Sequence, residues 1–274
     1  MARVLALSSQ VARGHVGLSA IVPALQRLGH EAWAVPTVVL SNHVGHPHVG
    51  GTRIEPDTML RLVDALDQNG WLAEIDAIIT GYLPSPEHVK IAAGLIKRIK
   101  SARSRALYLC DPVLGDNPKG LYIDQDAAIA ISDELIELAD IVTPNLFELG
   151  WLSGAVTQTM PELVAAARKL GNRSVVVTSA AARGGALANI LIAPAGSAIC
   201  EVAERSDVPH GTGDLFAALL LGHLLNGENE PVALGRAAAG VERAIMASVG
   251  RDELALVASQ AEWADAPPLV VRPL

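Results

Sequence analysis

The sequence has few cysteines, few aromatic residues and no long apolar run. Its 274 residues include only two cysteines, Cys110 and Cys200, and neither lies in a Cys-x-x-Cys or Cys/His ligand pattern. A disulfide-stapled fold and a zinc finger are therefore excluded, and we expect a reduced, cytoplasmic protein. Gly, Pro or charged residues interrupt each apolar run well before the ~20 residues that a membrane-spanning helix needs, so we expect no membrane partner.

Excess positive charge and the common nucleotide-binding motifs are also lacking. Lys and Arg number 21 against 29 Asp and Glu, a net charge of −8. This balance argues against a nucleic-acid partner, because such partners bind clustered basic residues. No Walker A sequence occurs and no Gly-x-Gly-x-x-Gly follows a predicted strand, so P-loop and Rossmann sites lose their main support. The opening MARVLALSSQ predicts a first strand rather than a signal peptide.

Strand-length apolar runs alternate regularly with helical stretches. The predicted strands are RVLALS (3–8), AWAVPTVV (32–39), DAIITG (76–81), RALYLC (105–110), ADIVT (139–143) and SVVVTS (174–179). The predicted helices cover residues 19–29, 56–70, 86–100, 126–138, 161–170, 212–225 and 231–248. Nearly continuous apolar strands are typical of a parallel sheet covered by helices on both faces. The pattern predicts one α/β domain over residues 1–274, with a doubly wound, mainly parallel central sheet.

The second half of the chain adds an antiparallel element to this sheet. ALANILIA (186–193) and SAICEVAE (197–204) predict a short hairpin at a sheet edge, and the C-terminal PPLVVRPL predicts a tail or short edge strand. Polar, Gly-rich segments follow almost every predicted parallel strand. Ligands of open α/β sheets bind beyond the carboxyl ends of the strands, so these segments predict a single active-site rim.

The sharpest motif is HGTGD (210–214), which opens the apolar helix LFAALLLGHLL. Its glycines allow the backbone to approach a ligand closely, and the first turn of a helix offers unpaired N–H groups to an anion. A carboxylate there, Asp214, could take a proton from a hydroxyl that attacks a bound phosphoryl group. The alternative is purely structural, with Thr212 or Asp214 as a helix cap and the glycines serving the turn.

Two further segments carry carboxylates at strand ends. In DPVLGD (111–116), Asp111 and Asp116 could coordinate Mg²⁺ and monovalent cations near phosphates, or they could only hydrogen-bond the backbone of a turn. TPNLFEL (143–149) predicts a helix with Pro144 at its first position, for which Thr143 would be a suitable cap and Glu148 an ordinary helix residue.

Together these three segments resemble the signatures of the ribokinase-like superfamily. The N-terminal segments SSQVARGHVG (8–17), PALQRLGHE (23–31), PTV (36–38) and SNH (41–43) narrow the likeness, which extends over nearly the whole chain, to pyridoxal kinases. The resemblance implies a ribokinase-like fold and transfer of phosphate from MgATP to the 5′-hydroxyl of pyridoxal. It also implies a homodimer and a substrate-covering flap at about 41–53.

The resemblance also implies roles for individual residues. Asp214 would be the catalytic base, and the amides of Gly211, Thr212 and Gly213 would form the anion hole. The implied substrate-binding residues are Ser9, Val16, His43, Tyr82 and Asp214. The implied ATP-binding residues are Asp111, Asp116, Asn145, Glu148, Thr178, Ser179, Gly211, Thr212 and Gly213. The implied metal-binding residues are Asp111, Asp116, Thr143 and Glu148, with K⁺ near Asp111, Thr143 and Thr178.

The sequence departs from the pyridoxal kinase pattern at three positions. Leu40 stands where the family commonly has an aromatic residue, Leu18 where it has Asn, and Val44 where it has Thr. These changes remove a stacking partner and polar contacts, so a shifted substrate preference is expected. Two alternatives stay open: a hydroxymethylpyrimidine kinase with the same fold and mechanism, and a homologue that binds pyridoxal or its phosphate without turnover.

Histidines cluster in the SNHVGHPHVGG segment. His43, His46 and His48 lie within six residues of one another, with His15 earlier in the chain. Because the segment is rich in Gly and Pro, it imposes no rigid ligand geometry, and a mobile flap is a better interpretation than a zinc site.

Overall fold

The computed structural model describes residues 1–171 and 173–274, apart from the side chain of Arg183. Twelve strands occur within these residues: β1 (Arg3–Val11), β2 (Glu31–Leu40), β3 (Gly51–Arg53), β4 (Ala77–Thr80), β5 (Leu107–Cys110), β6 (Gly115–Asp116), β7 (Gly120–Leu121), β8 (Ile141–Val142), β9 (Ser174–Ala181), β10 (Ala186–Ala193), β11 (Gly196–Ala203) and β12 (Val271–Pro273). The main α-helices are α1 (Leu18–Arg27), α2 (Pro56–Gln68), α3 (Pro86–Ala102), α4 (Gln125–Ala130), α5 (Leu146–Ser153), α6 (Met160–Lys169), α7 (Thr212–Leu225), α8 (Glu230–Ala247) and α9 (Gln260–Ala264).

One sheet contains all the described strands except the small β6–β7 pair. Its order is β12-β11-β10-β9-β8-β5-β4-β1-β2-β3. The six central strands, β2, β1, β4, β5, β8 and β9, are parallel to their neighbours within this group. At one end β3 pairs antiparallel with β2, and at the other end β10, β11 and β12 each pair antiparallel with the preceding strand. The prediction of a mainly parallel doubly wound sheet with an antiparallel hairpin is confirmed.

Apolar side chains bury both faces of this sheet, because alternate residues of a strand point to opposite sides. On β1, Leu5 and Leu7 pack into the core formed with α2, α3 and α6. Val4 and Ala6 pack on the opposite face against α1, α7 and α8. Helix α7 is buried from Leu215 to His223, so its starting position is fixed by the core around it.

The chain reverses its direction of travel across the sheet between β1 and β4. From β1 it moves outward to β2 and then returns to the other side of β1, where β4 begins the run of β4, β5, β8 and β9. Such a switch point leaves a crevice at the carboxyl ends of the two central strands, which is where open α/β sheets bind ligands. Among the described residues, no helix combines the length and apolar character needed to cross a bilayer.

Three local details differ from the sequence-based expectations. The end of the expected flap is the strand β3, so the loop itself is limited to residues 41–50, called the flap loop below. The predicted helix over 126–138 becomes a π-turn and a 3₁₀-turn after Ala130. The predicted hairpin is not at the sheet edge itself, because the C-terminal segment forms the short edge strand that was also predicted, β12, which pairs with β11.

Candidate active site

A cavity of about 720 Å³ opens at the carboxyl ends of the parallel strands. Most of the predicted site residues line it: Asp111, Asp116, Thr143, Asn145, Glu148, Thr178, Ser179, Gly211, Thr212, Gly213 and Asp214. They come from β6, β9 and α5, from the loops that follow β5 and β8, and from the start of α7. The topology thus gathers side chains from more than a hundred residues of sequence onto one cavity. The other four predicted site residues, Ser9, Val16, His43 and Tyr82, are not among its lining residues.

Helix α7 begins at this cavity with a left-handed glycine. Gly211 has φ 100° and occupies the N-cap position, so the predicted cap by Thr212 or Asp214 is wrong. A Cβ on Gly211 would also collide with the carbonyl oxygen of His15, which lies directly against it. Both features require glycine. They leave the first N–H groups of a long, buried helix directed at the cavity, where an anion could bind.

Asp214 lies in the first turn of α7, in contact with the central strands. A Cβ added to Gly81, just after β4, would lie 3.8 Å from its Oδ1 atom. Burial raises the pKa of Asp214 to about 6, although the backbone N–H groups of Gly17 and of Asp214 itself act in the opposite direction. A carboxylate with a pKa just below neutrality is both ionised at pH 7 and able to accept a proton.

A second carboxylate, Asp111, follows β5. Its backbone N–H donates to Thr80 O at 2.9 Å, and its Oδ1 accepts from Thr143 Oγ1 at 3.1 Å. Burial raises the pKa of Asp111 well above the ordinary range, and the charges of Glu148 and Asp214 raise it further. Three carboxyl groups therefore lie close enough to repel one another, and a cation there would lower this repulsion.

Glu148 is fixed by backbone hydrogen bonds. Its Oε1 accepts from Leu114 N–H at 2.8 Å, and its Oε2 accepts from Asn145 N–H at 2.9 Å. Asn145 Oδ1 in turn accepts from Glu148 N–H, which completes a capping box at the start of α5. Asn145, rather than Thr143, is therefore the helix cap. Burial raises the pKa of Glu148 to about 7, against the effect of these backbone donors.

The small β6–β7 hairpin continues this network along the cavity. Asn145 Nδ2 donates to Gly115 O at 2.8 Å, so the α5 cap also holds β6 in place. Asp116, on the same strand, is exposed, and its Oδ1 accepts from Asn117 N–H at 2.8 Å. The carboxylates of DPVLGD and TPNLFEL thus belong to one hydrogen-bonded unit in which Asp111 and Asp116 still face the cavity.

Two residues on the cavity wall have unusual backbone conformations. Val113 has φ 44° and Ser179 has φ 54°, although neither is glycine. A β-branched residue at positive φ is strained, and such strain tends to collect where the surrounding structure serves a binding site. Ser179 N–H also contacts Asn189 Oδ1 at 3.4 Å, while Thr178 N–H donates to Pro144 O at 2.9 Å.

The residues predicted to bind the substrate lie on the other side of Asp214, at the β1–β4 switch point. Ser9 follows a shift in register between β1 and β2, and a Cβ on Gly17 would collide with its side chain. Val16 is buried. Tyr82 follows β4; its N–H donates to Ser8 Oγ at 3.1 Å, and its carbonyl accepts from Thr37 Oγ1 at 2.7 Å.

His43 reaches the same region from the flap loop. Its ring stacks on that of His210, with ring centroids 3.8 Å apart and planes at 29°. His210 lines the cavity directly before Gly211, so it connects the flap loop to the start of α7. Sequence reasoning assigned no role to His210 or to Glu253, which contacts His46. The only available signal was the presence of histidines in both segments.

The donors around the cavity suit a magnesium ion that is shared with phosphates. Asp111, Asp116, Glu148 and Thr143 supply only oxygen atoms, which Mg²⁺ prefers. In the described part of the chain no three His, Cys, Asp or Glu side chains form a group able to hold a metal alone. Mg²⁺ commonly binds through one or two carboxylates, with waters and substrate phosphates completing its shell, so the residues present fit it.

Comparison with known proteins gives consistent matches. The family described as Phosphomethylpyrimidine kinase matches residues 14–256. A protein named Pyridoxal kinase PdxY from Deinococcus radiodurans is 35% identical over 274 residues, covering 95% of this chain and 92% of its own length. A Pyridoxine/pyridoxal/pyridoxamine kinase from Bordetella avium is 38% identical over 251 residues, covering 89% of this chain and 81% of its own.

A solved structure has the same fold. Pyridoxal kinase from Leishmania donovani, in complex with ADP and pyridoxine, superposes with a TM-score of 0.93 at 28% identity, and the match covers 99% of both chains. The ribokinase-like fold expected from the sequence is confirmed by this likeness.

Proposed function

The chain belongs to the phosphomethylpyrimidine kinase family and within it to the pyridoxal kinases, and we propose that it transfers the γ-phosphoryl group of ATP to the 5′-hydroxyl of pyridoxal. It is an ATP-dependent phosphotransferase that acts on vitamin B6 vitamers. The main support for these roles is the position of Asp214. It is a carboxylate with a pKa of about 6, and it lies beside the start of the helix where an anion could bind.

The reaction requires one proton transfer and one phosphoryl transfer. The 5′-oxygen of the vitamer forms a bond to the γ-phosphorus, the bond from that phosphorus to the β,γ-bridging oxygen breaks, and ADP leaves. Asp214 accepts the hydroxyl proton. The N–H groups of Gly211, Thr212 and Gly213 stabilise the charge on the transferring group.

We propose that Asp111, Asp116, Glu148 and Thr143 hold Mg²⁺ together with the phosphates, and that K⁺ binds near Asp111, Thr143 and Thr178. A bound cation would neutralise phosphate charge during transfer. Within the chain, the raised pKa of Asp111 supports this assignment, because a cation would relieve the repulsion between buried carboxylates. Asn145 and Glu148 position the β6–β7 hairpin, and Thr178 and Ser179 form the wall of the nucleotide side.

An assay of ADP release across four acceptors tests the proposal. We expect turnover with pyridoxal, pyridoxine and pyridoxamine, and little with hydroxymethylpyrimidine. The matched family carries the name Phosphomethylpyrimidine kinase, so a preference for hydroxymethylpyrimidine is the alternative with a specific observation in its favour. Turnover of hydroxymethylpyrimidine alone would establish that alternative. Binding of pyridoxal without ADP release would instead show a non-catalytic homologue.

The remaining proposals concern the protein as a whole. The resemblance to pyridoxal kinases supports a homodimer, which light scattering tests through the mass in solution. A cytoplasmic location is supported by Cys110 and Cys200, which are both free thiols and both buried. Fractionation of cells that produce the protein tests this location.

A further inference from the structure

Two side-chain contacts of the flap loop reach different parts of the chain. The first is the stack of His43 on His210. The second joins His46 Nε2 to Glu253 Oε1 at 3.1 Å, and Arg13 Nη1 donates to the same oxygen at 3.1 Å. The flap loop therefore touches the segment before α7 through one histidine and the segment after α8 through another.

The partner of the first contact lies next to the groups proposed to transfer phosphate. His210 directly precedes Gly211, which lies against the carbonyl of His15. Two residues after His15, the N–H group of Gly17 donates to Asp214 and lowers its pKa. His210 and Gly211 are joined by one peptide bond. A movement of the flap loop that shifted the His210 ring would therefore also shift the backbone of the anion hole. No comparable path leads from His48, whose side chain is exposed.

Both stacked rings are neutral at pH 7, so the stack does not bring two charges together. Burial, together with the charges of His210, Lys119 and His46, lowers the pKa of His43 to about 4. The pKa of His210 is lowered by burial and by Lys119, against a raising effect of Glu253. Gly45 N–H donates to His43 Nδ1 at 3.1 Å, so the proton of the neutral His43 ring is on Nε2.

We propose that His210 is a positioning residue: by stacking on His43 it docks the flap loop against the anion-hole segment, so that closure over the substrate and alignment of the Gly211–Gly213 amides occur together. This inference rests on the proposed function. A stacked ring pair typically contributes ~0.5–1.5 kcal/mol, so loss of the stack predicts an effect of about 2- to 12-fold on the reaction.

Steady-state kinetics with a matched set of variants tests the role. We expect His210→Ala to lower kcat/KM for pyridoxal by about 2- to 12-fold with little change in the KM for ATP, and His210→Phe to restore it, since a phenyl ring keeps a stacking surface. His48→Ala, which removes a flap-loop histidine whose side chain is exposed, should behave as wild type. If His210→Phe is as impaired as His210→Ala, stacking is not the role of this residue.

A double-mutant cycle separates docking from direct substrate contact. If His43 acts through His210, the His43→Ala/His210→Ala double variant should be no worse than the poorer single variant. Fully additive effects would mean that each ring acts alone, which would overturn the proposal. His43→Ala also keeps the test available if His210→Ala does not fold.

Amide hydrogen exchange without any substrate makes the test independent of the reaction. In the ligand-free protein, His210→Ala should speed exchange at residues 43–50 relative to wild type, His210→Phe and His48→Ala. Unchanged exchange in His210→Ala would overturn the docking role. A wild-type protein that docks its flap loop in this way but does not phosphorylate pyridoxal would instead disprove the proposed function alone.

Discussion

The phosphoryl side of the cavity is held mainly by backbone hydrogen bonds, whereas on the flap side the middle of the flap loop is held by contacts between side chains. Glu148 accepts from the N–H groups of Leu114 and Asn145, and Asp214 lies in the first turn of a buried helix. The flap loop is joined at its start to the segment after β1 by the hydrogen bond from Arg13 N–H to Ser41 O at 2.9 Å, while its middle contacts the rest of the chain through the side chains of His43 and His46. Backbone ties preserve geometry, while single side-chain contacts can break and reform as a substrate enters.

Substitutions on the two sides of the cavity should therefore affect different properties of the enzyme. A substitution on the phosphoryl side alters groups that backbone hydrogen bonds hold in place, so it should affect the chemical step or the stability of the fold. Changes on the flap side should affect substrate capture more than chemistry.

The largest effect is expected from removing the carboxylate of Asp214. Asp214→Asn should lower kcat by ~10²–10⁴-fold because the amide cannot accept the hydroxyl proton. ATP affinity, measured by titration calorimetry, should stay close to that of wild type. A kcat within a few-fold of wild type would remove Asp214 from the proposed mechanism.

A smaller effect on activity is expected from lowering the pH. Because burial raises the pKa of Asp214 to about 6, the base is ionised above that pH and protonated below it. The value of kcat/KM for pyridoxal should therefore be level above pH 7 and fall about tenfold per unit below pH 6. Glu148, with a pKa of about 7, could also contribute. The acid limb should persist in Glu148→Gln, and its disappearance there would assign the limb to Glu148.

The capping boxes at the starts of α5 and α6 allow the stability contributions of a buried and an exposed cap to be compared. Glu148→Gln should lower the free energy of unfolding by ~1–3 kcal/mol, because an amide cannot accept from both backbone donors in a buried site. Glu162→Gln, in the exposed box at the start of α6, should change it by less than ~0.5 kcal/mol. Urea denaturation measures both. Equal losses would mean that burial of the α5 cap does not matter.

The sequence predicted the central sheet well because its signals are local. Each parallel strand is an apolar run that ends in polar or Gly-rich residues, and HGTGD lies at the start of a helix as expected. Strand β3 was missed because Gly51, Thr52 and Arg53 are all exposed and form no apolar pattern. Its pairing with β2 depends on the turn that precedes it.

Contacts between distant segments were not predictable in this way. Asn145 replaced Thr143 as the helix cap because its side chain bonds both Glu148 N–H and Gly115 O, and the latter is on another element. The stack of His43 on His210 likewise depends on the fold of the intervening chain. No periodicity or local motif contains such information, so the flap side of the site was less predictable than the phosphoryl side.

The smallest effect is expected at Val44, where the pyridoxal kinase pattern has threonine. Val44 is 67% exposed in the flap loop, so its side chain has few contacts to lose or gain. Val44→Thr should therefore change the KM for pyridoxal by less than about twofold, within the range of ordinary surface substitutions. The same assay with pyridoxine and pyridoxamine shows whether vitamer preference shifts. A tenfold change would mean that the flap loop turns Val44 toward the substrate on binding, and the flap side would then be more mobile than the His43 and His46 contacts imply.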